Sequence, residues 1–363
     1  MNSPHELSTL IARLRQLRAD DFAGGAALTT IVATRGSTFR RTGTSMLVLG
    51  DASVVCALSG GCPQRDITER ALQVIASGIA SRVVYNQDFG LDLLIEMGCG
   101  GELDVLIEPI ISGADLLYLD AMADALAARR PFWMATVFPA EPGETFRHPR
   151  RLLWHEQAVL HDGLDNPALR ETLCSHLQRP ASSGRPVLVP VDDGQLALLE
   201  RQLPSQALLV VGAGAAADAL APLSLALGWE VCVVDGNPQR LAAYADHGLT
   251  TLLAAPAALI EHARIDSYTA AVVMTHNLQQ DIAYLDALAD SPASYLGVLG
   301  SRERVAAIRA GSRVPAGQLH APAGLNLGSE APAEIALAIT AEILSARNGR
   351  DGRPLRDSHG PIH

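Results

Sequence analysis

The segment from Ala207 to Asn237 constrains the fold of this 363-residue chain more than any other stretch. It begins with an apolar run that has the length and composition of a strand buried on both faces. A Gly-Ala-Gly turn at 212–214 leads into an Ala/Leu-rich helix at about 215–227, and a second apolar strand ends at Asp235. A strand, a glycine turn, a helix and a strand with a terminal carboxylate are the parts of a dinucleotide-binding βαβ unit. The segment therefore predicts a Rossmann unit.

The small residues of the turn have separate physical roles. Gly212 permits a tight turn, Gly214 lets the backbone approach a phosphate, and Ala217 allows the helix to lie close to the strand. Unpaired N–H groups at the helix start favour a pyrophosphate, and Asp235 can accept hydrogen bonds from ribose hydroxyls. Nucleotide binding is one interpretation, and the other is a Rossmann fold whose crevice is empty or serves another purpose.

Composition narrows the classes of partner. The net charge of −11 argues against a nucleic-acid partner. The chain starts without a signal-peptide pattern, and no apolar run reaches about 18 residues, so we expect a cytoplasmic protein that does not enter a membrane.

Five cysteines are too few and too scattered for a disulfide framework. Neither a C-x-x-C pair nor an H-E-x-x-H helix is present, so no metal site is predicted.

The alternation of strands and helices predicts two domains. A linker at 202–206 separates an N-terminal α/β domain, residues 1–202, from a Rossmann-like doubly wound parallel-sheet domain at 207–347. Residues 348–363 are rich in Gly, Arg, Asp, Pro and His, and we expect them to form a flexible tail.

A polar loop follows the first predicted strand, at about residues 28–34. It contains Arg35, Ser37 and Arg40 beside glycines, and guanidinium and hydroxyl groups in such a loop can bind an anion. A solvated basic loop is the simpler interpretation of the same residues, and the loop alone favours it.

Cys62 follows the glycine pair Gly60-Gly61 and precedes Pro63. Proline is typical of the first turn of a helix, so Cys62 is expected near the N-cap. The positive end of the helix dipole there lowers the pKa of a thiol, which makes the sulfur a better nucleophile or metal ligand. The other interpretation is a small residue in a glycine-rich turn.

Cys99 also has glycine neighbours, in the stretch Gly98-Cys99-Gly100-Gly101. Three glycines around one cysteine give a backbone that can approach a ligand closely, with a thiol at the same place. Turn formation alone explains the glycines but does not explain the cysteine.

Polar residues follow several strands of the second domain. Ligands in open α/β sheets bind beyond the carboxyl ends of the strands, so we expect one crevice there. Its predicted lining is Gly212, Asp235, Thr275, His276, Gly300, Ser301 and Arg302. His276 is a candidate general acid/base or metal ligand, with Asp281 as its orienting partner. The alternative is a capping or solvated histidine.

Several separated stretches together resemble the xanthine dehydrogenase accessory factor family, of the XdhC/CoxI type. In the first half they are Arg35-Gly-Ser-Thr with Arg40, Ser59-Gly-Gly-Cys62, Gly98-Cys-Gly-Gly101 and Val105-Leu-Ile-Glu-Pro109. In the second half they are Gly212-Ala-Gly214, Leu227-Gly-Trp-Glu-Val231, Val234-Asp235, Thr275-His276, Tyr295-Leu-Gly-Val-Leu-Gly-Ser-Arg302, His320-Ala-Pro-Ala-Gly-Leu325 and Glu330-Ala-Pro-Ala-Glu-Ile335. The resemblance covers roughly residues 25–110 and 205–345, and the order and spacing of the pieces make it specific.

The resemblance implies an accessory protein that binds the molybdenum cofactor and protects it while its terminal sulfur is installed. Such a protein then inserts the cofactor into an apo molybdenum hydroxylase of the xanthine or aldehyde dehydrogenase type. The cofactor is molybdopterin, either as such or in its cytosine dinucleotide form, and a cysteine desulfurase supplies the sulfur. A homodimer that closes over the cofactor is a further expectation.

Carried onto this chain, the resemblance makes Cys62 and Cys99 the thiols at the cofactor. Arg35, Ser37 and Arg40 become contacts for its anionic groups, and the Rossmann crevice becomes a site for NAD, another nucleotide or the cofactor phosphate. The alternative hypothesis is an NAD-dependent oxidoreductase acting on a small substrate, with His276 as proton donor or acceptor. A nucleotide-sensing or scaffold protein without chemistry is the third hypothesis.

The chain departs from the family pattern at five places. A proline, an acidic residue, a histidine, an arginine and an aspartate are usual at the positions of Phe39, Gln64, Ala215, Asn237 and Asn277. The histidine and the arginine would lie near the phosphate turn, so their absence bears on which nucleotide binds there and on whether one binds. Both cysteines are retained.

Overall fold

A computed structural model describes residues 1–58, 62–86, 101–178, 184–191, 194–244 and 249–357, with the backbone alone at Cys62, Leu177 and Gln178. The chain divides into two compact units, Met1–Pro204 and Ser205–His363.

In its described residues, the first unit combines four α-helices with two antiparallel sheets. Its elements are α1 (Pro4–Ala19), β1 (Ala26–Arg35), β2 (Ser45–Leu49), β3 (Val54–Val55), α2 (Cys62–Ser77), β4 (Ser81–Tyr85), β5 (Glu102–Ile110), α3 (Leu119–Ala127), β6 (Phe132–Pro139), β7 (Arg150–His155), β8 (Ala158–Asp162), α4 (Pro167–Gln178), β9 (Val187–Val191) and β10 (Gln195–Gln202). The sheet orders are β3-β2-β1-β5-β4 and β8-β7-β6-β10-β9.

Strand β1 is buried on both faces because successive side chains point to opposite sides of the sheet. Ala27 and Ile31 belong to the apolar cluster that includes side chains of α2. Val32, from the opposite face, packs with Phe138 and Leu198 of the second sheet. The first sheet therefore lies between α2 and the second sheet, which explains why β1 is buried continuously from residue 26 to residue 32.

A buried ion pair connects the two sheets of the first unit. Arg151 of β7 donates two hydrogen bonds to Glu108 of β5, and the two side chains are 6% and 1% exposed. The Arg151 guanidinium lies 4.3 Å from the centre of the Tyr118 ring, within cation–π range. Glu200 of β10 is also buried, and burial raises the pKa of its carboxyl to about 7. The charge of Glu108 is thus compensated by one particular side chain.

We expect Arg151→Met to destabilise the first unit by about 3–5 kcal/mol, because Glu108 would remain buried without its cation. Urea unfolding in a Trp229→Phe background, where Trp133 and Trp154 report on this unit, measures the change. Arg170→Met removes an exposed ion pair with Asp162 and should cost about 0–1 kcal/mol.

The double variant Glu108→Leu/Arg151→Met should recover much of the loss, because it leaves no unpaired charge. If Arg151→Met and Arg170→Met lowered the free energy of unfolding equally, the buried pair would contribute no more to stability than the exposed pair.

The second unit is a six-stranded parallel sheet with helices on both faces. Its elements are β11 (Ala207–Val211), α5 (Ala215–Ala226), β12 (Glu230–Asp235), α6 (Pro238–Leu241), β13 (Thr250–Leu253), α7 (Leu259–His262), β14 (Thr269–Val273), α8 (Leu278–Leu288), β15 (Tyr295–Val298), α9 (Arg302–Gly311), β16 (Leu319–His320) and α10 (Pro332–Arg347). The strand order is β13-β12-β11-β14-β15-β16.

This strand order reverses direction between β11 and β14, so the topological switch point lies between these two strands. Helices α5 and α10 contribute to the apolar cluster on one face of the sheet, and α8 and α9 to the cluster on the other. The predicted fold class, an α/β domain followed by a Rossmann-like doubly wound domain, is confirmed. In the described part of the chain, no helix is long and apolar enough to cross a membrane.

Candidate functional site

The carboxyl ends of four parallel strands bring most of the predicted crevice residues together. Gly212 follows β11, Asp235 ends β12, Thr275 comes just after β14 and Gly300 just after β15. Strand β11 pairs with both β12 and β14, and β14 pairs with β15. These residues therefore meet at one edge of the sheet, on either side of the switch point.

The glycine turn after β11 has the geometry that its sequence requires. Gly212 has a φ of +110°, and a Cβ on it would lie 2.8 Å from the backbone of Met274 and Thr275. Ala217 is completely buried in the first turn of α5. Any larger residue at these two positions would push the turn away from β14 or the helix away from the sheet.

Protein groups already occupy donors of this turn. The N–H of Ala213 donates to Asp235 Oδ2 at 3.0 Å, and the N–H of Asn237 donates to Oδ1 at 2.8 Å. The N–H of Gly214 donates to the Tyr244 hydroxyl at 3.2 Å, and that hydroxyl donates to Asp218. The carboxylate predicted to accept ribose hydroxyls therefore braces the turn itself.

Tyr244 and Asp218 are crevice residues that sequence reasoning missed. Burial, followed by the hydrogen bond to Asp218, raises the pKa of Tyr244 to about 12, so the phenol stays protonated at neutral pH. Asp218 and Asp235 both carry negative charge beside the turn, which opposes a pyrophosphate there. In the sequence, the carboxylate four residues after the second glycine is the signal that could have indicated repulsion of a pyrophosphate at this turn.

His276 is exposed and has a φ of +62°, which is rare for a residue other than glycine. A Cβ on Gly214 would lie 3.5 Å from its Nε2, so the imidazole lies against the glycine turn. Strained backbone of this kind persists only where neighbouring groups hold it.

Asp281 supplies that restraint, but not by the predicted contact with the imidazole. Its carboxylate is fully buried and accepts from the N–H of Thr275 at 3.0 Å and from the Thr275 hydroxyl at 2.6 Å. The other oxygen pairs with Arg304 at 2.6 Å. The predicted role of Asp281 as direct partner of His276 is therefore wrong, because the carboxylate acts on the backbone before His276. Arg304 was missed, since 23 residues separate it from Asp281.

The other predicted residues of this edge surround the start of α9. Ser301 caps the helix by accepting from the N–H of Arg304 at 3.3 Å. A Cβ on Gly300 would lie 2.8 Å from Cδ of Arg304, so glycine makes room for that side chain. Gly300 and Ser301 thus support the Asp281–Arg304 pair, whereas Arg302 presents an exposed cation at the surface.

A further cluster, which sequence reasoning missed as a site, lies at the edge strand β16. Glu342 accepts hydrogen bonds from Tyr295 at 2.5 Å, from the N–H of Gly324 at 2.7 Å and from His320 Nδ1 at 3.1 Å. The rings of Tyr295 and His320 stack with their centres 4.1 Å apart. Although burial raises the pKa of Glu342, the bonds from His320, Tyr295 and Gly324 hold it below its usual range. This cluster fastens the 320–325 loop to α10.

In the first unit, the polar loop after β1 rests on Gly101. A Cβ on Gly101 would lie 2.1 Å from the carbonyl oxygen of Ser37 and 2.7 Å from Thr38 Cγ2, so only glycine allows this contact. Ser37 is exposed, and the side chain of Arg35 is 85% exposed with a loose ion pair to Glu102 at 3.8 Å. Two of the predicted anion contacts, Arg35 and Ser37, thus belong to the loop that contacts Gly101.

The side chain of Arg40, unlike that of Arg35, is engaged by neighbouring protein groups. Its guanidinium pairs with Glu6 of α1 and donates to the carbonyl of Ala57 at 3.1 Å. Arg40 therefore ties the loop to the first helix and to the segment that precedes Ser59.

The cysteines divide into two groups. The predicted residues Gly60, Gly61, Cys99 and Gly100 lie outside the described residues, as does the side chain of Cys62, whose backbone begins α2. The described thiols are Cys56, Cys174 and Cys232. Burial raises the pKa of each, that of Cys232 to about 11, so all three stay protonated at neutral pH. None of these three described thiols has the properties of a thiolate nucleophile.

Two family models match this chain. The model described as the XdhC and CoxI family matches residues 23–86, and the XdhC Rossmann domain matches residues 208–343, together more than half of the chain. The chain belongs to the XdhC and CoxI family. Its second unit is the XdhC Rossmann domain of that family.

Curated relatives span nearly the whole chain. A probable xanthine dehydrogenase subunit from Bacillus subtilis (strain 168) is 29% identical, over 89% of this chain and 93% of its own length. The molybdenum cofactor insertion chaperone PaoD from Escherichia coli (strain K12) is 23% identical, over 89% of this chain and 84% of its own. The crystal structure of a xanthine dehydrogenase from Bacillus halodurans has the same fold, with a TM-score of 0.79 over 96% of this chain and 97% of that chain, at 24% identity.

We expect Asp281→Ala to destabilise the second unit by about 2–3 kcal/mol, because it leaves Arg304 and the buried N–H of Thr275 without their acceptor. Urea unfolding followed by Trp229, in a Trp133→Phe/Trp154→Phe background, measures the loss. Asp290→Ala, which removes a side chain 80% exposed, should change stability by less than about 0.5 kcal/mol. Equal effects of the two substitutions would contradict the assigned role of Asp281.

Proposed function

We propose that this protein is an accessory factor of a xanthine dehydrogenase-type molybdenum hydroxylase, which binds the molybdenum cofactor and inserts it into the apoenzyme. The observation that carries the proposal is the contact of the Arg35–Thr38 loop with Gly101. An exposed guanidinium and an exposed hydroxyl lie there beside Gly101, the last residue of the sequence motif that contains Cys99. The similarity to the E. coli insertion chaperone and to the B. subtilis protein supports the same function.

The described residues of this surface fit an anionic cargo. Arg35 is available to a phosphate, since its ion pair with Glu102 spans 3.8 Å and both side chains are solvated. Ser37 adds a hydroxyl donor. Gly101 has no Cβ, which lets the backbone of Ser37 pack directly against it and holds the loop in this position. Arg40 would act indirectly, because its guanidinium is engaged by Glu6 and Ala57.

Two thiols complete the proposal. The sequence predicts a lowered pKa for the Cys62 thiol at a helix start, and the backbone of that residue begins a 16-residue helix. Cys99 is its counterpart in the glycine motif. We assign both thiols to the molybdenum end of the cofactor, where they would hold or shield it during sulfuration. A cysteine desulfurase as sulfur source, the apo hydroxylase as client and a homodimeric state belong to the same proposal.

The oxidoreductase alternative has less support from the geometry. A dinucleotide would need the N–H groups of Ala213 and Gly214, which already donate to Asp235 and Tyr244. Asp218 adds a repulsive charge beside the same turn. Hydride transfer to NAD that is unaffected by changes at Cys62 and Cys99 would nevertheless favour that alternative.

The test is cofactor retention by ultrafiltration, with bound molybdenum measured by mass spectrometry. Purified full-length protein loaded with molybdenum cofactor should retain it, and Cys62→Ala or Cys99→Ala should weaken retention about tenfold or more, because a metal-directed sulfur is lost. Cys232→Ala is the matched control, since that thiol is protonated and lies on a strand of the second unit. Unchanged retention in both variants would refute the thiol assignment.

A further inference from the structure

Phe39 stands in the loop between β1 and β2 with 69% of its surface exposed. Every other Phe, Tyr or Trp side chain in the described ranges is at least partly buried. Leaving such a ring in water forgoes the burial energy that aromatic side chains usually contribute.

The ring is held outward by bonds on both sides of it. Thr38 is buried and its hydroxyl donates to the carbonyl of Arg40 at 2.7 Å, so the two neighbours of Phe39 are linked to each other. The guanidinium of Arg40 is fixed in turn by Glu6 and by the carbonyl of Ala57. The ring therefore projects from a rigid base, and a ligand that stacks on it loses little conformational entropy in the loop.

The charges around Phe39 select the kind of ligand. Arg35 is 85% exposed, and four residues span at most about 14 Å, so one ligand can meet both side chains. A ring face binds a flat heteroaromatic system, and a guanidinium binds a phosphate. Within the loop no second large hydrophobic side chain is exposed, whereas a protein-binding hot spot is normally surrounded by further packed contacts.

We propose that Phe39 stacks on the pterin ring of the molybdenum cofactor while Arg35 binds its phosphate. This inference rests on the proposed function and deepens it by assigning the pterin end of the cargo to one residue of this chain. The contact of Ser37 and Thr38 with Gly101 sets the position of both side chains.

The experiment measures the cofactor dissociation constant of full-length variants by ultrafiltration. Phe39→Ala should weaken binding about tenfold, which corresponds to about 1.4 kcal/mol and lies within the range known for stacking on aromatic side chains. Phe39→Leu should bind the cofactor as weakly as Phe39→Ala, because leucine keeps apolar volume but has no ring face. Phe39→Trp should bind at least as tightly as the wild type, and the pterin should quench its emission. Leu117→Ala, which changes a side chain 70% exposed elsewhere in the first unit, is the matched control and should bind normally.

A second ligand separates the two contacts. A pterin without a phosphate should be sensitive to Phe39→Ala and insensitive to Arg35→Ala, whereas the intact cofactor should be sensitive to both.

The outcomes distinguish this inference from the proposed function. Absence of cofactor binding by the wild type overturns both. Normal wild-type binding with unchanged binding by Phe39→Ala overturns the stacking inference alone. Normal binding by Phe39→Leu also overturns it, because a ring would then be unnecessary. Unchanged binding by Phe39→Ala with slower transfer to the apoenzyme would overturn it in favour of a protein contact.

Discussion

The buried Glu108–Arg151 pair is the interaction on which the geometry of the first unit depends. It joins β5 of one sheet to β7 of the other, at a depth where neither charge can be solvated. Strand β5 also pairs with β1 along its whole length, from Ala26–Ile110 to Arg35–Glu102. Gly101 directly precedes β5. Fixing the position of this strand therefore also fixes the position of the glycine that the Arg35–Thr38 loop contacts. A charge pair on the same strand thus helps to position the loop that we propose as the ligand surface.

A β-bulge in β1 completes this arrangement. The register shifts between Ile31 and Ala33, so that Arg35 lies opposite Glu102. Without the extra residue, Arg35 would lie opposite Gly101, and the loop could not close over that glycine. Bulges commonly redirect side chains next to functional surfaces. Here the bulge leaves the guanidinium exposed while the next turn of the loop contacts Gly101.

Sequence patterns predicted the structure correctly where it is formed by elements that are close together in the chain. The βαβ unit followed from glycine spacing and apolar runs within about thirty residues, because such a unit is formed by neighbouring elements. The contact of Gly101 with Ser37 could not be predicted, since it depends on strand pairing across 64 residues and on a bulge that no pattern marks. The same holds for Asp281 and Arg304. A helix-turn spacing pointed to His276 as the partner of Asp281, but a buried carboxylate binds whatever donors the fold brings to it.

The Rossmann unit keeps the small residues of a dinucleotide-binding turn, but internal hydrogen bonds occupy donors of that turn. Gly212 and Ala217 keep the close packing that a dinucleotide site uses. Asp235 and Tyr244 nevertheless take up two N–H groups of the turn, and Asp218 adds a second carboxylate beside it. Phosphate binding would have to displace internal hydrogen bonds and overcome two like charges. The neighbouring edge is different, because His276 is exposed there on a strained backbone that the Asp281–Thr275 bonds maintain. Any ligand of this edge is therefore expected to meet the imidazole and Arg302 before it meets the glycine turn.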